Sequence, residues 1–287
     1  MALARRFSAL QAVPVSIGGR WLYVDLREGL SHWLLEGSPW DDVPWEVDEQ
    51  LVMKGVVRPG DVVFDVGAHF GLHTVFLSAV VGPTGVVHAF EVNPERFHAL
   101  AVTVSGLPNT TLHPHGLADY TGSTTLFVPE DTAMASLTDW TNGRRVGPIH
   151  QVDCDVRILD DIVGRREAAT PDFIKCDVEG GELRVFEGAA GVLSKPNAPI
   201  ILYEASALSS RAFGNGVSAA TDFLRSLKRA DYTIFHIQPG GQLHQLEAFS
   251  SDCEFFSLMA VPRSRRHRLD AIAQQIRWSG ERHHVPV

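Results

Sequence analysis

The segment FDVGAHFG, residues 64 to 71, sets one carboxylate and two glycines between apolar runs. Gly67 and Gly71 let backbone N–H groups and a helix N-terminus approach a ligand, because no side chain stands in the way. The same glycines also suit a tight strand-to-helix bend in a buried core, so the turn alone leaves both readings open. Glu91 shifts the balance. It closes the run HAFE, 20 residues after Gly71, where an acidic side chain can accept both hydroxyls of a ribose.

Asp65 stands ahead of the glycines, where dinucleotide dehydrogenases begin their G-x-G-x-x-G fingerprint instead. Its negative charge suits a ligand bearing an amino group better than one bearing a pyrophosphate, which favours S-adenosylmethionine over NAD. A second acidic set follows much later: Asp177 and Glu179 in IKCDVEGGE and Glu204 in ILYEAS. In an open α/β sheet, ligands bind beyond the carboxyl ends of the strands, so these three acids converge on the same mouth. Three chemistries fit them. Asp177 or Glu204 serves as a general base or hydrogen-bond acceptor for a hydroxyl; Asp177 and Glu204 hold a divalent cation through oxygen ligands; or Glu179 caps the helix that begins near Gly181 while Asp177 holds the turn. His69, His73, His113 and His115 add imidazoles near strand ends, each readable as a packing or surface histidine. Pro114 between the last two marks an edge or an irregular strand end.

The elements that must carry these groups follow from the pattern of apolar runs. From residue 61 onward, runs of four to seven apolar residues alternate with amphipathic segments of helix length, as in a parallel sheet with crossover helices. The predicted strands are DVVFDVG, GVVHAFEV, TTLHPHGL, DFIKCDVE and PIILYEAS. YTIFHIQPGG and CEFFSLMAVP have no room for a crossover between them and are predicted to form an antiparallel hairpin at the sheet edge. STTLFVPED begins a further hairpin inserted between the third and fourth strands. Residues 1–55 read as an N-terminal cap of two short strands and a Trp-rich stretch too rich in proline and glycine for a long element. Residues 56–262 form the main domain, and 263–287 a basic amphipathic tail, read as a solvated surface helix.

The 287 residues are 45% apolar with a net charge of -9. That excludes disordered, fibrous and coiled-coil classes and disfavours a general nucleic-acid binder, so a small molecule is the expected partner. No apolar run is long enough to span a membrane and the first residues lack a signal peptide's core, which predicts a cytoplasmic protein. Cys154, Cys176 and Cys253 have no metal or disulfide spacing and read as reduced, mostly buried thiols.

Taken together, DVGAHFG, AFEVNP and IKCDVEGGE resemble the FkbM family of S-adenosylmethionine-dependent methyltransferases, over roughly Val43 to Pro262. The resemblance implies a class I methyltransferase fold, Rossmann-like, with a seven-stranded, mainly parallel sheet whose last strand is antiparallel. It implies O-methylation of a hydroxyl on a sugar or natural product. It also implies cofactor contacts from Asp65, Gly67, Ala68, His69, Gly71, Glu91, Asn93, Asp177 and Glu179, with Leu117 and Ala118 at the adenine. His69 stands where methyltransferases in general carry a glycine. Ser136 and Leu137 resemble an element that lies over the active site. Trp33, Trp40 and Trp45 form either an aromatic wall for the acceptor or a packed cap. A nicotinamide-dependent dehydrogenase and a non-catalytic cofactor-binding scaffold are the competing classes.

Overall fold

The computed structural model describes residues 13–17, 20–24, 44–140, 148–249 and 255–277. Strands β1 (Val13–Ile17) and β2 (Arg20–Val24) pair as an antiparallel hairpin. Helix α1 (Pro44–Val56) opens the main body. The Trp-rich stretch was expected to lack a long element, but Pro44 occupies the first helical position, where no N–H is needed, and a 13-residue helix follows. Its Val52, Met53 and Val56 form one buried stripe.

The predicted alternation then appears as β3 (Val62–Val66), α2 (Leu72–Val81), β4 (Val86–Phe90), α3 (Pro94–Val104) and β5 (Thr110–His113). A small sheet of β6 (Gly116–Leu117), β7 (Gly122–Val128) and β8 (His150–Arg157) is inserted here, with β7 and β8 antiparallel. After it come α4 (Leu159–Gly164), β9 (Phe173–Cys176), α5 (Glu182–Glu187), α6 (Ala190–Leu193) and β10 (Ile200–Ser206). The chain continues through α7 (Ala207–Ala212), α8 (Ala219–Ser226), β11 (Tyr232–Gln238), β12 (Gln242–Gln245), β13 (Phe255–Pro262) and β14 (Ile276–Arg277).

The main sheet runs β14-β12-β11-β13-β10-β9-β3-β4-β5. Within it, β11, β13, β10, β9, β3, β4 and β5 make the class I methyltransferase arrangement, with β13 antiparallel to both neighbours. Two details differ from the expectation. The sheet has nine strands, and β13 inserts between β10 and β11 while β12 and β14 extend the sheet beyond them, so the hairpin is interior. Leu243 and Ile276 are buried and explain why these two short strands stay attached.

The sheet is covered on both faces, as its near-continuous apolar strands require. Phe64, Val66, Ile174, Cys176, Ile201 and Tyr203 pack on one side, and Val63, Val87, Phe173, Ile200 and Leu202 on the other. Each such side chain contributes about 1.5–3 kcal/mol when fully buried. Cys154 and Cys176 are free and buried; Cys253 lies outside the described residues. No described helix is long and apolar enough to cross a membrane.

The tail is not a solvated helix. Arg263–Gln275 forms a 3₁₀ segment that buries Arg268, Leu269 and Ile272. Gly55 makes room for it, since a Cβ there would lie 2.3 Å from Ile272 Cγ2. The Arg268 guanidinium donates to both Asp61 carboxylate oxygens and to the Val56 carbonyl, while Arg265 pairs with Asp172 at 2.9 Å. Asp172 in turn accepts from the Val62 N–H, tying the tail to the start of β3. Arg268→Ala leaves the buried Asp61 carboxylate without its cation, with only the Arg58 N–H still donating to it, and is expected to cost about 3 kcal/mol, measured by urea unfolding.

Candidate active site

The carboxyl ends of β3, β4 and β9 and the inserted segment border a cleft. Gly67, His69, Glu91, Leu117, Asp177 and Glu179 contribute to its wall, together with Val92, Leu126, Ser136 and Leu137. Glu91 is almost fully buried, and each of its oxygens is held by a backbone donor: Oε2 by the His69 N–H at 2.7 Å and Oε1 by the Asn93 N–H at 2.6 Å. Each oxygen keeps a second lone pair for a ligand hydroxyl. Burial raises its pKa, opposed by His69 and by these two donors. Val92, Leu117, Leu126 and Leu137 supply an apolar wall beside it.

The glycine turn works differently from the cradle read in the sequence. The Gly67 and Ala68 N–H groups both donate to the Phe90 carbonyl at 3.0 Å, and the Gly71 N–H donates to the Ala68 carbonyl. With the His69 N–H on Glu91, the turn spends these donors inside the protein. Gly67 is required for steric reasons: its φ is 84° and a Cβ would sit 1.8 Å from the Asp177 carbonyl oxygen. Asp65 lies beneath the turn rather than in the wall. It is fully buried, its Oδ2 accepts from the Thr74 hydroxyl at 2.5 Å, and its Oδ1 has no hydrogen-bond partner among the described residues. Ala68 and Gly71 are also behind the wall, and Ala118 is buried with its N–H on the Arg157 carbonyl. Asn93 caps α3 through Oδ1 and borders a separate cleft.

The second acidic set gathers as expected at the strand ends, although Glu204 borders a smaller neighbouring pocket and not the main cleft. Asp177 Oδ2 is 2.9 Å from the Nζ of Lys175, a lysine 3% exposed. Glu179 has a left-handed backbone, φ 54°, and its carbonyl accepts from the Ser136 hydroxyl at 2.8 Å. The capping alternative for Glu179 and Asp177 is taken up instead by Glu182, whose Oε1 accepts from the Val178 and Gly180 N–H groups. Burial pushes Glu182 up to about 7. Burial, with Asp177 next, holds Glu179 and Glu204 well above the usual carboxylate range, and Lys175 opposes this in both. Among the described residues no group of three or more His, Cys, Asp or Glu is arranged to hold a metal ion, so the cation alternative for Asp177 and Glu204 finds no ligand set there.

Lys175 and Thr132 were missed in the sequence. A lysine within an apolar strand two residues before an acid was the available signal for the first; Thr132 gave none, and it reaches His69 Nε2 at 3.2 Å from the inserted segment. His73 is buried 4.0 Å from Glu49 of α1. Trp33 and Trp40 lie outside the described residues, and so does the side chain of Trp45.

His113 stacks on Phe90 with ring centroids 4.3 Å apart, and its Nε2 lies 3.0 Å from His88 Nδ1. Burial, then the His88 and His115 rings, bring His113 down to about 4. An unfolded histidine titrates near about 6.5, so below that pH the unfolded chain binds more protons and stability falls until His113 itself charges near about 4. Discounted for partial exposure, the expected loss is on the order of 1 to 2 kcal/mol, and His113→Gln should flatten the decline of urea midpoints between pH 7 and 4.

Comparisons with known proteins identify the family. The family described as "Methyltransferase FkbM domain" matches residues 65–234. A hexuronic acid methyltransferase, AglP, from Haloferax volcanii is 30% identical over 162 residues, 56% of this chain and 63% of that one. The 31-O-demethyl-FK506 methyltransferase FkbM from Streptomyces tacrolimicus is 31% identical over 176 residues, 49% of this chain and 64% of that one. The matches thus span less than two thirds of either relative. Among solved structures, an rRNA methylase from Streptococcus thermophilus is 14% identical, with 77% of this chain and 98% of that one covered and a TM-score of 0.44. With the glycine turn, the distal acid and the strand-end carboxyls all inside the matched span, this chain belongs to the FkbM methyltransferase family.

Proposed function

We propose that the chain transfers a methyl group from S-adenosylmethionine to a hydroxyl of a small molecule, a sugar or a natural product. The observation that carries this is Glu91, held in the cleft wall by two backbone donors with lone pairs to spare beside an apolar surface. That donor set and wall fit an adenosine: the carboxylate takes the ribose hydroxyls, and Val92, Leu117 and Leu126 flank the base. The bound cofactor supplies an electrophilic methyl group. Gly67, by leaving Asp177 close to β3, sets the floor for the methionine portion.

Asp177 faces the cleft as a hydrogen-bond acceptor for the incoming hydroxyl, with Lys175 fixing its carboxylate, and Glu204 backs it. The protein's task is to hold that oxygen in line and to receive its proton. The names of the two curated relatives support O-methylation and a sugar-acid or FK506-like acceptor. The Gly67, Ala68, His69 and Gly71 N–H groups are committed within the protein, which favours this reading over a nicotinamide dinucleotide, whose pyrophosphate would have to be held by other donors.

Calorimetry with S-adenosylhomocysteine and with NADH tests it. S-adenosylhomocysteine is expected to bind and NADH to fail, and the reverse result refutes the reading. Glu91→Ala strips the ribose hydroxyls of a buried acceptor and should weaken S-adenosylhomocysteine by roughly 1–3 kcal/mol; unchanged affinity would refute the assignment of Glu91.

A further inference from the structure

A second cleft, of about 370 Å³, adjoins the main one and has the size of a small-ligand site. Thr132 lines both, and its hydroxyl is the one that meets His69 Nε2. The inserted sheet runs from one cleft to the other. Side chains two apart on a strand face the same way, so Leu126 of the main cleft and Val128 of the second share one face of β7, and β8 sets Val152 and His150 opposite them in register. Val128 and Val152 accordingly pack in one apolar cluster with Val92, Leu126 and Leu137 of the main cleft. Asn93 belongs to both sites: its N–H holds Glu91 Oε1 in the first, and the residue lines the second.

Asn93 is 3% exposed. Its Oδ1 accepts from the Glu95 N–H at 3.1 Å to cap α3, which fixes the orientation of the amide and makes the other terminal atom the NH2 group. That Nδ2 has no hydrogen-bond partner among the described residues. A buried donor left unpaired costs about 1–3 kcal/mol, which an oxygen on a ligand recovers. The same cleft brings the carboxylates of Glu95 and Glu130, which accept, beside the apolar faces of Pro94, Pro129 and Val128. A hydroxyl both accepts from Nδ2 and donates to a carboxylate, whereas an ammonium cannot do the first and a carboxylate cannot do the second. The two glutamates also repel an anion.

We propose that this second cleft is a subsite for an uncharged sugar unit of the acceptor, next to the unit that is methylated. Its hydroxyls take the Asn93 donor and the two glutamate acceptors, and its C–H faces lie on the prolines and valine. That the ligand belongs to an acceptor rests on the methyl-transfer reading of the main cleft; its ring chemistry rests on the second cleft alone.

The test uses the full chain, with and without S-adenosylhomocysteine, and two matched pairs of probes: the methyl glycosides of glucose and galactose, and methyl glucuronide and galacturonide. Titrations at low salt, followed by saturation-transfer and side-chain amide NMR, read each affinity and the Asn93 NH2 signal, which Asn93→Asp identifies by its disappearance. The neutral glycosides are expected to bind in the millimolar range and to shift that signal, and the uronides to bind about ten-fold more weakly. Asn93→Asp keeps a capping oxygen and loses the donor, so it should weaken the neutral glycosides by about ten-fold. Glu95→Gln/Glu130→Gln, at one exposed and one half-buried position, should bring the uronides within about three-fold of the neutral probes. Uronides bound as tightly as neutral glycosides by the unaltered protein overturn the proposal whether or not a variant folds, and so does an Asn93 signal that none of the probes moves. Binding of S-adenosylhomocysteine with no neutral glycoside bound at about 50 mM overturns the subsite and leaves the cofactor reading standing. Failure of S-adenosylhomocysteine itself to bind removes the methyl-transfer reading, and the assignment of the subsite to an acceptor falls with it.

Discussion

Gly67→Ala is expected to cost more than about 4 kcal/mol of stability and to abolish S-adenosylhomocysteine binding. The added Cβ would lie 1.8 Å from the Asp177 carbonyl oxygen and 2.9 Å from its carbon, both backbone atoms that no rotamer change can move. β3 and β9 are directly paired, and the Asp177 N–H donates to the Val66 carbonyl at 3.0 Å, so relieving the clash breaks the ladder where the two strands deliver their functional residues. Part of the cost is the left-handed φ of 84°, unfavourable for alanine by roughly 1–2 kcal/mol. Gly240→Ala supplies the control, because Gly240 also has a left-handed backbone, φ 76°, yet a Cβ there meets nothing within 4 Å. Urea unfolding of the two variants should therefore differ by several kcal/mol. Equal losses would show that the close approach of Asp177 is not what selects glycine at this position.

The same turn shows how far the sequence could be read. Its place between a strand and a helix, its distance to Glu91 and the position of Asp177 and Glu179 at the same cleft were legible, because period and strand order fix which ends of the strands meet; that Glu204 borders a neighbouring pocket was not. What each N–H does was not legible. A glycine that admits a ligand and a glycine that admits the Asp177 carbonyl look alike in the chain, and only the pairing of β3 with β9 distinguishes them. The direction of Asp65 was hidden for a related reason: a carboxylate at a strand's end points to either face of the sheet, and here it points inward to Thr74. Glu182 took the capping role because it lies on the helix side of a turn with two left-handed residues, Glu179 and Gly180, whose conformations carry no sequence signature beyond the glycine. The tail was misread because its arginines suggest solvent, whereas Arg268 finds Asp61, which lies more than 200 positions earlier in the chain. Composition cannot reveal such a partner.

Asp177→Asn and Glu204→Gln are each expected to lower methyl-transfer turnover by about 100- to 10,000-fold while S-adenosylhomocysteine affinity stays within a few-fold of the original. Both replacements keep the side-chain volume, so a loss of turnover reports charge and proton capacity rather than packing. Asparagine at 177 keeps an acceptor oxygen, but its amide cannot balance the Lys175 ammonium, which is 3% exposed and would then face the hydroxyl's proton with like charge. Glutamine at 204 cannot take up a proton, so the acceptor oxygen would have to react as a neutral hydroxyl. The contacts assigned to the cofactor, Glu91 after β4 and the apolar wall of Val92, Leu117, Leu126 and Leu137, come from other elements and keep their side chains in either variant. Formation of S-adenosylhomocysteine with a hexuronic acid glycoside and with an FK506-type alcohol as acceptors, followed from pH 6 to 9, provides the measurement. If Glu204 receives the proton, Glu204→Gln should regain part of its turnover as pH rises, since hydroxide relieves the need for an internal base. Turnover of either variant within ten-fold of the original protein at every pH would remove that residue from the reaction.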